Sequence, residues 1–460
     1  MANARHRRRS VLNPCHEGVL AGKGLAAVEG IAVSSRRAPA VGRSGWIVAQ
    51  LALAVWAALL LRAVSPELAT VMVACGATFL LQAHAPAAWR DRLLLAASLV
   101  GGALIIARAQ VVTGHFTRAL VTAAIFVALL VALALLFLWI LRWKCAAKWR
   151  ATALFAVAGA LAISRGQGEL LAEPQWQLVG ALFMFRLIVY AYDVLSGKRQ
   201  ERWIDGLNYL FLLPAFHFLL FPVVDYATFK RSRAADPWGC AQRGIAWIAR
   251  GLLQLAVYRL LYHRIAVSPD EVDSPWMLLR YVLPAYLMYT NVSGQFHLIV
   301  GLLHLQGWQL PETNRQWLLA DSFTDFWRRI NLYWKEFMVR VFWYPAWFRL
   351  RKSGERRATI VATLLVFVAT TLLHSWQTFW LRGDFALTAQ DLVFWGFLGT
   401  AVLIGVLREQ AGPKAAPKPT GWRRGLAIAR VALTMTLLWS MWSSASLGDW
   451  FATLAWWNRA

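Results

Sequence analysis

The chain is poor in charge, poorer still in acid, and nearly devoid of cysteine. Only 15% of its 460 residues are charged, and 23 Asp+Glu stand against 48 Lys+Arg. A soluble domain carries about a quarter charged residues, so a soluble globular class is excluded. Cys15, Cys75, Cys145 and Cys240 lie far apart and form no CxxC pair, so neither a disulfide framework nor a zinc site is indicated. No GxSxG is present, which removes the hydrolase nucleophile elbow, and no internal repeat stands out. The net charge of +25 would suggest nucleic acid in a soluble protein. Here the basic residues fall between apolar runs and no nucleic-acid module is visible, so the positive-inside rule accounts for them and no nucleic-acid partner is expected.

What the chain has in abundance is hydrocarbon, 59% hydrophobic residues gathered into runs near the length of a bilayer crossing. The runs fall at about 46–62, 69–87, 93–107, 117–141, 151–164, 177–193, 205–224, 244–265, 276–306, 357–381, 389–408 and 425–447. Before them, residues 1–45 are basic and rich in Ala, Gly and Ser, and lack an early apolar core; they read as a disordered cytoplasmic extension. Basic connections (142–150, 198–202, 328–357, 408–424) alternate with poorly basic or acidic ones (63–68, 165–176, 266–275, 382–388). This places the N-terminus inside, except that both 194–204 and 225–243 are basic. The run between those two contains Pro214 and Pro222, which break or kink a helix, so it is read as re-entrant. The expected fold is an all-α polytopic membrane protein. It has about eleven transmembrane helices, the re-entrant segment and an interfacial amphipathic helix.

That last element is DSFTDFWRRINLYWKEF, residues 321–337, too charged to cross and too aromatic for a solvated loop. Phe323, Phe326, Trp327, Ile330, Trp334 and Phe337 recur at helical spacing and predict one apolar face. Anchoring at the membrane surface by aromatic and basic side chains explains the pattern without any chemistry. Asn331 lies on the flank of the stripe with Thr324, Arg328 and Lys335, and could face an enclosed cavity instead. The crossing run that follows holds no Asp, Glu, Lys or Arg between Arg357 and Arg382, and its single titratable group is His374. Thr363, Thr370, Thr371 and Thr378 share a face with it. An ionisable group within a span is a functional hypothesis by default, a histidine bonded to a neighbouring helix being the plainer alternative.

Taken together, these residues resemble the membrane-bound O-acyltransferase family. Asp325, Phe326, Trp327, Arg328, Arg329, Ile330 and Asn331 match its DFWRRWH or FWRxWN motif, and His374 stands where a crossing helix carries the catalytic histidine. YAYDVLSGK (190–198) is similar to its SYxxDVYRG stretch, and FPVVDYATF (221–229) stands where it has FFPxxxxGPIxRY. The sequence departs from the family in lacking GPI, in having LHSW for WHG, and in having Asn at 331 as the sterol and diacylglycerol branch does. The resemblance covers about 177–381, which gives the expected division into N-terminal helices (46–176), a catalytic core (177–381) and C-terminal helices (382–460).

What the resemblance implies is O-acyl transfer. His374 would be the general base, and Asn331 would orient the acyl donor or the histidine. Arg328, Arg329 and Lys335, with Asp325 and Trp327 beside them, would bind the donor, the cations meeting coenzyme A phosphates or else lipid headgroups. No metal or resident cofactor is expected. The donor is an acyl-CoA or another acyl thioester on the cytoplasmic side, and the acyl group is acetyl or another short chain. The acceptor is a hydroxyl of an exported polysaccharide or glycolipid, in a multi-pass protein of the cell (inner) membrane, with a periplasmic acyl-transfer protein as a further expected partner. A lipid alcohol is the alternative acceptor. A transporter or flippase would need charged residues in several spans and repeat symmetry, and neither is seen. His297 and His304 share a face without a third ligand, so packing is their expected role.

Overall fold

A computed structural model describes residues 40–60, 67–110, 116–168, 170–196, 202–411 and 419–458. Among these, the chain is all helix and turn with no strand beyond one isolated bridge between Arg233 and Trp308. Residues 1–46 and 47–460 form separate units. Most of the expected 1–45 extension lies outside the described residues, and Ala40–Gly45 are helical.

The helices in order are α1 (Ala40–Leu60), α2 (Leu68–His84), α3 (Ala87–Gln110), α4 (Phe116–Leu141), α5 (Ala147–Gln167), α6 (Glu173–Phe183) and α7 (Arg186–Leu195). Then come α8 (Trp203–Leu210), α9 (Tyr226–Arg231), α10 (Pro237–Leu260), α11 (Pro275–Leu287), α12 (Tyr289–Leu305), α13 (Phe323–Arg329) and α14 (Leu332–Met338). The last are α15 (Tyr344–Leu350), α16 (Glu355–Arg382), α17 (Ala389–Gln410), α18 (Gly421–Trp442) and α19 (Leu447–Leu454). Among the described residues, seven stretches are long and apolar enough to cross a membrane: 87–109, 116–141, 173–195, 237–265, 355–382, 389–410 and 421–442. The chain is an all-α polytopic membrane protein. The runs at 46–62 and 69–87 form shorter apolar helices. The run at 276–306 is two helices rather than one, divided at Met288, just after Pro284 removes a backbone donor inside α11.

The run 205–224 is broken. Helix stops at Leu210, a short 3-10 turn covers Leu213–Phe216, and no further helix forms before Tyr226. Eight residues of α-helix rise only about 12 Å, far short of a hydrocarbon core. Irregular backbone at this depth must be enclosed by protein, and Leu210–Phe216 are all buried. Gly101 and Gly102 of α3 make room for it: a Cβ on either would lie 2.7 Å from the Leu213 or Phe216 side chain. The Arg186 guanidinium supplies donors to the freed carbonyls, at 2.8 Å from Leu210 O and 3.0 Å from Ala181 O.

Both ends of the broken run emerge on one side. Arg202 before it and Arg233 after it reach the same Asp91 carboxylate, at 2.8 and 3.3 Å. Asp193 and Asp225 flank it too, and both pair with Arg340. The two flanks of the run therefore lie together, as a re-entrant segment requires. Side chains also sort the later connections. Arg328 pairs with Glu409, and Gln410 bonds Thr359, at one end of the α16–α17 pair. At the other end Gln177 bonds Leu381 O and Gln390 bonds Ser444 O. Arg328, which begins the basic 328–357 connection, thus lies with the C-terminus of α17 at one end of this pair, and the poorly basic 382–388 connection lies at the other.

Candidate active site

Ser322 caps α13 by accepting the Asp325 N–H at 3.1 Å. The helix ends at Arg329, because Ile330 is extended and Asn331 turns into the left-handed region at φ 39°. Asparagine is among the few residues with a side chain suited to that conformation. Its Oδ1 accepts the Trp334 N–H at 3.3 Å and so caps α14. This corrects the expected single amphipathic helix. The stripe is split at Ile330–Asn331, and Phe326, Ile330, Trp334 and Phe337 are buried in protein rather than laid on the membrane surface.

Splitting the helix aims Trp334 at α16. Its Nε1 donates to Thr370 Oγ1 at 3.4 Å, and its ring meets the His374 ring edge-on with centroids 5.1 Å apart. His374 is half-buried, and its Nδ1 lies 2.8 Å from the Thr370 carbonyl oxygen. A carbonyl only accepts, so Nδ1 carries the proton, and in the neutral ring the lone pair sits on Nε2. Among the described residues no hydrogen bond is made at Nε2. Trp395 of α17 and Trp442 of α18 complete the surround, with centroids 4.7 and 6.3 Å from the imidazole. Trp442 is fixed in turn by its Nε1, which donates to Asp391 Oδ1 at 2.7 Å.

Of the residues singled out in the sequence, Asn331 and His374 come together through Trp334, not by direct contact. The others serve local pairs. Trp327 packs on Phe367 with centroids 4.9 Å apart, and Arg329 pairs with Asp325 at 2.7 Å. Arg328 forms a two-pronged pair with Glu409, and Lys335 pairs with Glu336 at 2.7 Å. The threonine stripe divides its work: Thr363 and Thr370 accept indole N–H groups from Trp343 and Trp334, while Thr371 and Thr378 bond their own helix. His297 bonds Gln254 and stacks on Trp247, and His304 bonds the Val300 carbonyl.

Several site residues escaped the sequence reading. Trp395 and Trp442 looked like core aromatics. Asp391 was not singled out; in the structure it also closes the Thr388–Asp391 cap of α17. Arg340 was one basic residue among many. The structure makes it the partner of Asp193 and of Asp225, which also caps α9. Burial pushes the Asp225 carboxyl upward, but bonds from Thr228 and Arg340 outweigh it and hold the group below the usual carboxylate range.

No protein-family profile matches the chain. Among curated proteins it is similar to the probable alginate O-acetylase AlgI of Azotobacter vinelandii, 24% identical over 61% of this chain and 55% of that protein. It is likewise similar to the probable alginate O-acetylase AlgI of Pseudomonas fluorescens, 21% identical over 43% of this chain and 40% of that protein. These similarities are in keeping with the resemblance of its motifs to the membrane-bound O-acyltransferase family. The chain spans about half the length of the curated relatives it matches. Where its sequence departs from the membrane-bound O-acyltransferase pattern, at FPVVDYATF, Asp225 fills the helix-capping and ion-pairing position described above.

Proposed function

We propose that the chain is an O-acyltransferase that moves an acetyl or other short acyl group from a thioester to a hydroxyl of an exported polysaccharide or glycolipid. The observation that carries this reading is the His374 tautomer, Nδ1–H held by the Thr370 carbonyl with the Nε2 lone pair uncommitted. The names of the relatives, O-acetylases of alginate, support a glycan acceptor.

In this scheme Nε2 takes the proton of the acceptor hydroxyl as its oxygen attacks the thioester carbonyl. The tetrahedral oxyanion collapses, the C–S bond breaks, and the thiolate leaves with the proton returned from Nε2. The catalytic pair is His374 as base and Asn331 as the residue that fixes Trp334 against it. Arg328, Arg329 and Lys335, with Asp325 and Trp327, lie at the basic face where a phosphate-bearing thioester would approach. By the positive-inside rule that face is cytoplasmic, with the N-terminus, and the acceptor meets His374 from the opposite side of the cell membrane.

The test is purified protein in lipid, given acetyl-CoA with either alginate oligosaccharide or a long-chain alcohol. Acetylated oligosaccharide is expected, and it should disappear in His374→Ala. Acetylation of the alcohol alone would overturn the glycan reading, and thiol release unaltered in His374→Ala would overturn the base.

A further inference from the structure

A short strip of chain, Pro311–Arg315, in which Thr313 and Asn314 are buried, runs beside the break between α13 and α14 and supplies partners that the break lacks. Helix ends leave carbonyls and N–H groups without partners. Here the Arg329 carbonyl accepts from Arg315 N at 2.8 Å, and Leu332 N donates to the Thr313 carbonyl at 2.8 Å. Tyr333 Oη donates to the Pro311 carbonyl at 2.7 Å. The Asn331 N–H is met by a side chain, Asn314 Oδ1, at 2.8 Å. Asn314 is 5% exposed and uses both ends of its amide. Oδ1 also accepts from Tyr289 Oη at 3.1 Å, while Nδ2 donates to Ser293 Oγ and Thr313 Oγ1 at 3.3 and 3.2 Å.

We infer that Asn314 is a positioning residue for acyl transfer, holding Asn331 in its left-handed turn so that Trp334 meets His374. The inference rests on the reading of His374 as the base. The apolar spacing of 323–337 favours one continuous helix, and a left-handed non-glycine residue is uncommon. Something outside the segment must therefore hold the break open, and Asn314 is the side chain bonded to the residue that turns. Were residues 330 and 331 absorbed into a helix, each would advance the following side chains by about 100° about the axis. Trp334 would then leave both Thr370 and His374.

The experiment is a double-mutant cycle on Asn314→Ala and Asn331→Ala, with turnover per folded protein, thermal stability and the pH profile of turnover measured for each. Asn314→Ala is expected to lower turnover by about ten- to a hundredfold, the size of a misplaced catalytic group, and to move the low-pH limb of the profile. Because both changes break one device, the double variant should lose at most about threefold beyond the worse single one. Losses that multiply, or an unmoved pH limb, would overturn the inference. Asn314→Asp keeps the Oδ1 acceptor and serves if the alanine variant does not fold; it should retain most turnover, and a loss as deep as that of Asn331→Ala would count against the idea. His374→Ala is run alongside: if it remains active the base reading fails, whatever the cycle returns.

Discussion

His374 has one usable nitrogen, because Nδ1 is committed to the Thr370 carbonyl and the Trp334, Trp395 and Trp442 rings surround the imidazole. A base in that state should be sensitive to loss of its lone pair and should not be rescued by a substitute that cannot take up a proton. His374→Ala should lower turnover by roughly two to four orders of magnitude, the usual size of a general-base contribution. His374→Gln should fare little better: its amide can bond Thr370 O but cannot accept the hydroxyl proton. A purely structural histidine would instead cost about 1–3 kcal/mol through neighbours left unpaired. Product per folded protein beside thermal stability separates the two, and a normally folded His374→Ala at half the wild-type rate would end the hypothesis. This residue was legible because a lone titratable group in an uncharged run stands out. The tryptophans around it were not, since an aromatic at helical spacing reads as core until its partner from another helix is known.

At the scale of elements, local pattern succeeded where one helix packs alone and failed where a neighbour intervenes. The stripe at 323–337 encodes a helix, and the Pro311–Arg315 strip, distant in pattern if not in sequence, breaks it. The run at 276–306 reads as one span, but the structure divides it at Met288 into α11 and α12. The pairing of α10 with α12 was invisible as well, although its cause is written in four glycines. Gly244 faces Gly301 and Gly251 faces Gly294, so closely that a Cβ on Gly301 would stand 2.7 Å from the Gly244 carbonyl oxygen. Small residues let membrane helices approach backbone to backbone, which lipid-like side chains cannot replace. Gly301→Ala should therefore lower stability by about 1–3 kcal/mol, the cost of overpacking. Thermal unfolding in detergent measures it, and Gly396→Ala, where a Cβ meets nothing within 4 Å, is the control. Equal midpoints for the two variants would refute the close-packing argument.

For the whole molecule, charge carried more information than hydropathy. Hydropathy alone would make 205–224 a crossing, which would reverse every later side and leave one basic loop in the wrong compartment. The structure draws Arg202 and Arg233 to one Asp91 carboxylate, and Asp193 and Asp225 to one Arg340, so the flanks of that run lie together. The surrounding protein that makes such a broken run tolerable, Gly101, Gly102 and Arg186, could not be read from the run itself. Sidedness can be tested with single cysteines placed at Ser196, Ser232 and Phe385, in a background where Cys15, Cys75, Cys145 and Cys240 are serine. Ser196 and Ser232 flank the broken run, whereas Phe385 is exposed in the connection between α16 and α17 at the opposite face. A membrane-impermeant maleimide added to intact cells should label Phe385→Cys and leave Ser196→Cys and Ser232→Cys unlabelled until the membrane is opened. Protection of only one of the two flanking positions would turn the broken run into a crossing. It would also put His374 and the basic face on the wrong sides for a cytoplasmic donor and an exported acceptor.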